Sequence, residues 1–105
     1  MNSKTLIKNL LLLTSAVFPI SPTHADDAPK LVQQFLSKYC LECHDADTQK
    51  GDRSFEKFAL PLKSVPDLIE ARDIIDQITL KEMPPKKADQ PKDDERLAML
   101  GALRE

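Results

Sequence analysis

The chain of 105 residues contains two cysteines and two histidines, and both thiols and one imidazole fall within five consecutive positions, Cys40, Leu41, Glu42, Cys43 and His44. C-x-x-C-H is the spacing of a c-type haem attachment site. Thiols three positions apart can each add to one vinyl group at the porphyrin edge, and the adjacent imidazole offers a nitrogen to the iron. The motif therefore implies one covalent haem c, with Cys40 and Cys43 as its thioether residues and His44 as the proximal iron ligand. Other chemistries fit less well. A structural zinc site takes four Cys or His ligands and this stretch offers three. A thiol oxidoreductase places its C-x-x-C beside a βαβ pattern, which is missing. In an oxidising compartment Cys40 and Cys43 can form a disulfide, but the histidine at the next position argues for haem.

A second axial ligand follows by elimination. His24 is the only other histidine, and it lies in a segment expected to be removed. Apart from the initiator, the methionines are Met83 and Met99. Met99 falls within a predicted helix near its polar flank. Met83 precedes Pro84 and Pro85, and a proline pushes the residue before it toward extended backbone, so this segment can aim a thioether at a metal. Met83 is the expected distal ligand. The plainer alternative for it is a gap-filling core residue, the commonest role of this adaptable side chain.

The elements that must position these residues are helical. Asp26 to Pro29 resembles a helix start, with acidic residues at the positive end of the dipole and proline in the first turn. Leu31, Val32, Phe35, Leu36, Tyr39, Cys40 and Cys43 recur at intervals of three and four, so a helix carries one apolar face directly into the motif. Residues 45–63 lack a sustained period and contain Gly51 and Pro61, which predicts a loop along one haem edge with Phe55, Phe58 and Leu60 turned inward and a positive φ open to Gly51. Ser64 is an N-cap candidate, with Pro66 in the first turn and Asp67 as a short version of the capping-box acid. The helix it opens, about 65–80, carries Leu68, Ala71, Ile75 and Ile78 inward and an Arg72 to Asp76 pair outward, and Pro84 stops it. Pro91 opens a last helix whose first turn holds Asp93, Asp94 and Glu95, with Leu97, Leu100 and Leu103 as its apolar stripe. No strand pattern or repeat is evident. The expected fold is all-α, with about three main helices and loops wrapping one haem.

Residues 1–25 have the form of a secretory signal, with Lys4 and Lys8, an apolar run from Leu10 to Phe18, and Thr23-His24-Ala25 before the cleavage point after Ala25. The run is shorter than the roughly 20 residues a membrane-spanning helix needs, so no span is expected in the mature chain, and no cysteine follows for a lipid anchor. A periplasmic or otherwise exported domain, 26–105, remains. Cleavage removes two lysines and no acidic residue, taking the formal net charge from −2 to −4. A chain of this charge lacks the basic footprint of nucleic-acid binding. A domain of this size usually needs a staple, and with only four phenylalanines and one tyrosine in the whole chain, one of them, Phe18, in the leader, the haem would form a major part of the core.

With these residues in view, the chain resembles the small class I c-type cytochromes, and more closely the planctomycete-type cytochrome c domain. The resemblance is carried by Tyr39-Cys40-Leu41-Glu42-Cys43-His44, Lys50-Gly51, and Lys81-Glu82-Met83-Pro84-Pro85 before a closing helix. It implies covalent haem on Cys40 and Cys43, His44 as proximal ligand and Met83 as distal ligand. Two features depart from the family pattern: Asp52-Arg53-Ser54-Phe55 stands where a further glycine and a Leu-Asp run are usual, and the closing helix has no large aromatic. In class I folds the closing helix crosses the first one; Gly101 or Leu100 against Phe35 or Leu36 is the expected contact. The implied function is one-electron transfer with redox partner proteins. The alternative is a non-catalytic haem sensor, or the electron-entry module of a larger protein. In the mature domain no histidine beyond His44 and no nucleophile with its base supports an enzyme in its own right. Arg53, Arg72 and Lys81 are candidates for haem propionates, though solvated surface charge is the simpler account of them.

Overall fold

A computed structural model of the chain describes residues 15–19 and 27–105. Most of the expected leader, including His24 and the cleavage point after Ala25, lies outside these residues. Among the described residues no helix is long and apolar enough to cross a membrane.

The fold is all-helical: four α-helices and no strand among the described residues, in the order α1 (Asp27–Tyr39), α2 (Leu41–His44), α3 (Val65–Thr79) and α4 (Asp93–Leu103), with one 3₁₀ turn at Lys50–Asp52. The first helix does not run unbroken into the motif. Cys40 departs from helical geometry, with φ −123° and ψ −43°, and a new single turn starts at Leu41. Start signals elsewhere act as expected. Ser64 is the N-cap of α3, its Oγ accepting from the Asp67 N–H at 3.2 Å. The Asp67 carboxylate returns the bond one residue earlier than a capping box would, to the Lys63 N–H at 2.9 Å, and this holds it below the usual carboxylate range. The expected Arg72 to Asp76 pair does not form; neighbouring Asp73 is engaged instead, by Arg53 at 2.6 Å.

One core joins three helices and the loop. Val32, Phe35 and Leu36 of α1 meet Ala71, Ile74 and Ile78 of α3, Met99, Ala102 and Leu103 of α4, and Phe55 and Phe58 from the intervening loop. Gln33 ties α1 to that loop by donating from Nε2 to the Phe58 carbonyl at 2.6 Å. Two expected stripes are met only in part. On α3, Ala71 and Ile78 are buried and Ile75 packs against the core as expected, but Leu68 is exposed and Ile74 is buried; Val65, Leu68 and Ile69 leave apolar side chains on the outer face as well, so hydropathy alone does not fix every buried position. On α4, Leu97 points to solvent while Arg96 and Met99 are buried. The charged Arg96 on the buried face disguises the true 96, 99, 103 register as 97, 100, 103. Met99 is fully buried, not on a polar flank.

The α1–α4 crossing is pinned by Tyr39, whose hydroxyl donates to Glu95 Oε2 at 2.8 Å. Glu95 also accepts the Lys92 N–H through Oε1 at 3.3 Å, closing the start of α4. An aromatic thus marks the crossing, contributed by α1 rather than by the closing helix. Gly101 is exposed, with no atom within 4 Å of where a Cβ would stand, so it takes no part; Leu100 packs against the core edge.

Two outcomes follow. Met99→Ala lowers stability in denaturant titration by about 2–5 kcal/mol, whereas Leu97→Ala, at an exposed site, changes it by less than about 0.5 kcal/mol. The Tyr39 hydroxyl holds the Glu95 carboxyl below its ordinary pKa, so this bond stabilises the fold above about pH 4.3, the unfolded value, and is lost as pH falls through the lower folded value. The gap in thermal midpoint between wild type and Tyr39→Phe is therefore present at neutral pH and closes in acid; a gap that persists in acid contradicts the assignment.

Candidate functional site

The motif residues stand where α1 gives way to α2. Cys40 closes the last turn of α1, its N–H bonded to the Leu36 carbonyl at 2.9 Å, and its own carbonyl accepts from His44 N–H at 3.0 Å. Both cysteines are half-buried free thiols. Burial, with the neighbouring Cys43 adding to it, pushes the Cys40 thiol up to about 11, so it is protonated at neutral pH.

His44 is fixed from two directions. Its Nδ1 lies 3.1 Å from the Arg53 carbonyl, a contact that requires the proton on Nδ1 and leaves Nε2 with its lone pair available to a metal. Its ring also stacks at a tilt on Phe55, centroids 5.0 Å apart. The loop is folded back to allow this: the Phe55 N–H donates to the His44 carbonyl at 2.7 Å, and Asp45 Oδ1 accepts the Asp47 and Thr48 N–H groups at 3.1 and 2.7 Å. Gly51 has φ 65° within the reversal, and Gln49 and Asp52 share the left-handed region. The departure Asp52-Arg53-Ser54-Phe55 thus has a definite role, since Arg53 presents its carbonyl to His44 and its guanidinium to Asp73 on α3.

Met83 is positioned by the end of α3. The Glu82 N–H bonds back to the Gln77 carbonyl at 3.0 Å and the Lys81 N–H to the Ile78 carbonyl at 3.2 Å, the paired bonds of a Schellman motif. Lys81 takes the left-handed position, φ 56°, that glycine usually occupies. The chain then reverses into Met83, whose N–H also faces the Gln77 carbonyl at 3.4 Å. Met83 is 39% exposed and Met99 fully buried, so the gap-filling role belongs to Met99.

These groups surround one cavity of about 470 Å³, lined by Cys40, Cys43, His44 and Met83 together with Phe35, Tyr39, Phe55, Ile74 and Ile78, with Lys50 and Arg53 among its polar lining. All four residues expected to hold the cofactor are thereby brought to one space of the size typical of cofactor sites. Of the three basic candidates for propionates, Arg53 lines it; Arg72 and Lys81 do not. Among the described residues no group of three or more His, Cys, Asp or Glu side chains is arranged to hold a metal ion. The lining sets thiols and an imidazole beside each other, with a thioether and aromatic and aliphatic walls, which fits a large apolar disc; its charged rim holds Lys50 and Arg53 together with the carboxylates of Glu42, Asp73 and Asp76, and Asp73 pairs with Arg53.

Sequence reasoning did not reach the Arg53 carbonyl or the Gln77 carbonyl. Both are main-chain groups, the first placed by left-handed backbone at Gln49 and Asp52 on either side of Gly51, the second by Lys81, where no glycine marks the turn.

An all-α domain with a C-x-x-C-H turn beside an apolar cavity is the arrangement a c-type cytochrome requires. Residues 40–87 match the family model of planctomycete cytochrome C, so this stretch is similar to a planctomycete-type cytochrome c domain, a family that implies covalent haem c. The match runs from Cys40 past Met83 and covers just under half of the chain; α1 and α4 flank it. No curated protein and no solved structure matches the chain.

The left-handed Lys81 offers a direct test of how the turn is built. Lys81→Gly removes a Cβ clash of about 1–2 kcal/mol against the greater freedom of glycine in the unfolded chain. Its exposed 3.8 Å contact with Asp93 contributes little. The substitution is expected to raise stability by about 0.5 kcal/mol and the thermal midpoint by a few degrees; a fall in midpoint would show that the lysine side chain, not the turn, matters.

Proposed function

We propose that the protein is an exported mono-haem electron-transfer cytochrome in which Cys40 and Cys43 hold haem c covalently, His44 is the proximal ligand and Met83 the distal one. The observation that carries this reading is the convergence of all four on one apolar cavity, with His44 held so that Nε2 is the free nitrogen.

Each residue has a separable task. Haem c, when bound, supplies reversible one-electron chemistry. Cys40 and Cys43 fix the ring edge to the α1–α2 turn. His44, locked by the Arg53 carbonyl and the Phe55 ring, keeps one orientation in both redox states, which limits reorganisation. Met83 presents a neutral, weakly donating thioether, which favours the reduced state relative to a histidine ligand. Phe35, Phe55, Ile74 and Ile78 exclude water, and Lys50 and Arg53 supply cations for carboxylates at the rim. Electron exchange would take place with redox partner proteins.

Expression with a cytochrome c maturation system should yield one haem per chain that survives denaturation, and none when Cys40 and Cys43 are both replaced by alanine. In the loaded protein, Met83→Ala is expected to abolish the ferric Met-to-iron charge-transfer band and lower the reduction potential, while Met99→Ala keeps the band. A Met83→Ala protein with unchanged band and potential would remove Met83 from the ligand set.

A further inference from the structure

The chain from Met83 to Gln90 has few means of holding itself. Pro84 and Pro85 have no N–H to donate, and the segment's main-chain bonds are those from the Met83 N–H to Gln77 and from the Ala88 N–H to the Pro85 carbonyl at 2.8 Å. A single side chain gathers the rest. Gln90 Nε2 donates toward the carbonyls of Pro84, Pro85 and Ala88, at 3.1, 2.8 and 3.2 Å.

Gln90 is in turn oriented from α4. Its Oε1 accepts from Arg96 Nη2 at 2.7 Å. A guanidinium can only donate, so Arg96 dictates that the oxygen of the carboxamide faces α4 and the nitrogen faces the loop. Arg96 is 7% exposed, one turn from Met99, and has no carboxylate partner among the described ion pairs. Its Nη1 is buried without a hydrogen-bond partner among the described residues. A buried cation with so little compensation is costly to stability, which an apolar residue in the same register would avoid. Its Nη2 donor does what an apolar side chain cannot, fixing the direction of a carboxamide.

We infer that Arg96 and Gln90 are positioning residues for Met83: the buried guanidinium orients Gln90, and Gln90 clamps the carbonyls that follow Met83, holding the thioether at the cavity. This rests on the reading of Met83 as the distal ligand. Neither residue lines the cavity, so both act through the loop.

Imidazole binding to the ferric, haem-loaded protein tests the clamp, because imidazole must displace Met83. Gln90→Ala, at an exposed position, and Arg96→Met, which removes the buried charge at similar volume, should each bind imidazole roughly tenfold more tightly, the ratio set by loss of one ordinary hydrogen bond. The Ala88 amide should exchange with solvent faster in both, with helical circular dichroism unchanged. Met83→Ala is the separate arm and must itself bind imidazole more tightly than wild type; if it does not, the ligand reading fails and the positioning role fails with it. If Met83→Ala binds tightly while Gln90→Ala matches wild type in imidazole affinity, the clamp is overturned and the ligand reading stands. Should Arg96→Met fail to fold, Gln90→Ala decides alone.

Discussion

The bond from His44 Nδ1 to the Arg53 carbonyl is the constraint on which the rest of the site depends. It cannot form unless the chain reverses between Asp45 and Phe55, and the reversal uses left-handed backbone at Gln49, Gly51 and Asp52. Non-glycine residues there cost energy, of order 1 kcal/mol each, offset by bonds that only the reversed loop makes: Phe55 to His44, and the two amides gathered by Asp45. The same reversal brings Phe55 into the core and Arg53 to Asp73 on α3. One hydrogen bond thereby couples the ring orientation of the histidine to loop, core and helix.

Much of this was legible in the sequence. Helix existence, the Ser64 cap, the inward Phe55 and Phe58, and the convergence of Cys40, Cys43, His44 and Met83 all follow from period, caps and motif. The misses share a cause. The α4 stripe was displaced by one residue because Arg96 occupies a buried position that pattern reasoning assigns to an apolar residue, and Leu97 an exposed one. On α3, Ala71, Ile75 and Ile78 face the core as the period requires, and only the choice between Leu68 and Ile74 was left to tertiary packing. The helix crossing turned out to depend on a hydroxyl and a carboxylate, Tyr39 and Glu95, fifty-six residues apart, which no local signal connects.

The two methionines show why composition alone cannot assign roles. Each is a flexible thioether in a small helical domain, and elimination singles out Met83 only because a proline follows it. The physical distinction is burial. Met99 sits among Val32, Leu36 and Ala102 with no exposed surface, so its sulfur is committed to packing. Met83 emerges from a helix-ending turn, faces the cavity and keeps more than a third of its surface exposed, so packing does not account for its position.

That separation has a mechanical consequence. The Met83 segment contributes little to the core beyond the buried Pro84, and it is held at one end by the carbonyl of Gln77 and at the other by the side chain of Gln90. Both anchors are hydrogen bonds near the surface, whereas His44 is held by the Arg53 carbonyl and by the ring of Phe55, itself a core residue. The cavity thus has one wall built into the core and one wall hung on a few polar contacts. Under the proposed ligation, the strength of the distal bond would depend on Gln77 of α3 at the cavity wall and on Gln90 and Arg96, which lie outside the cavity.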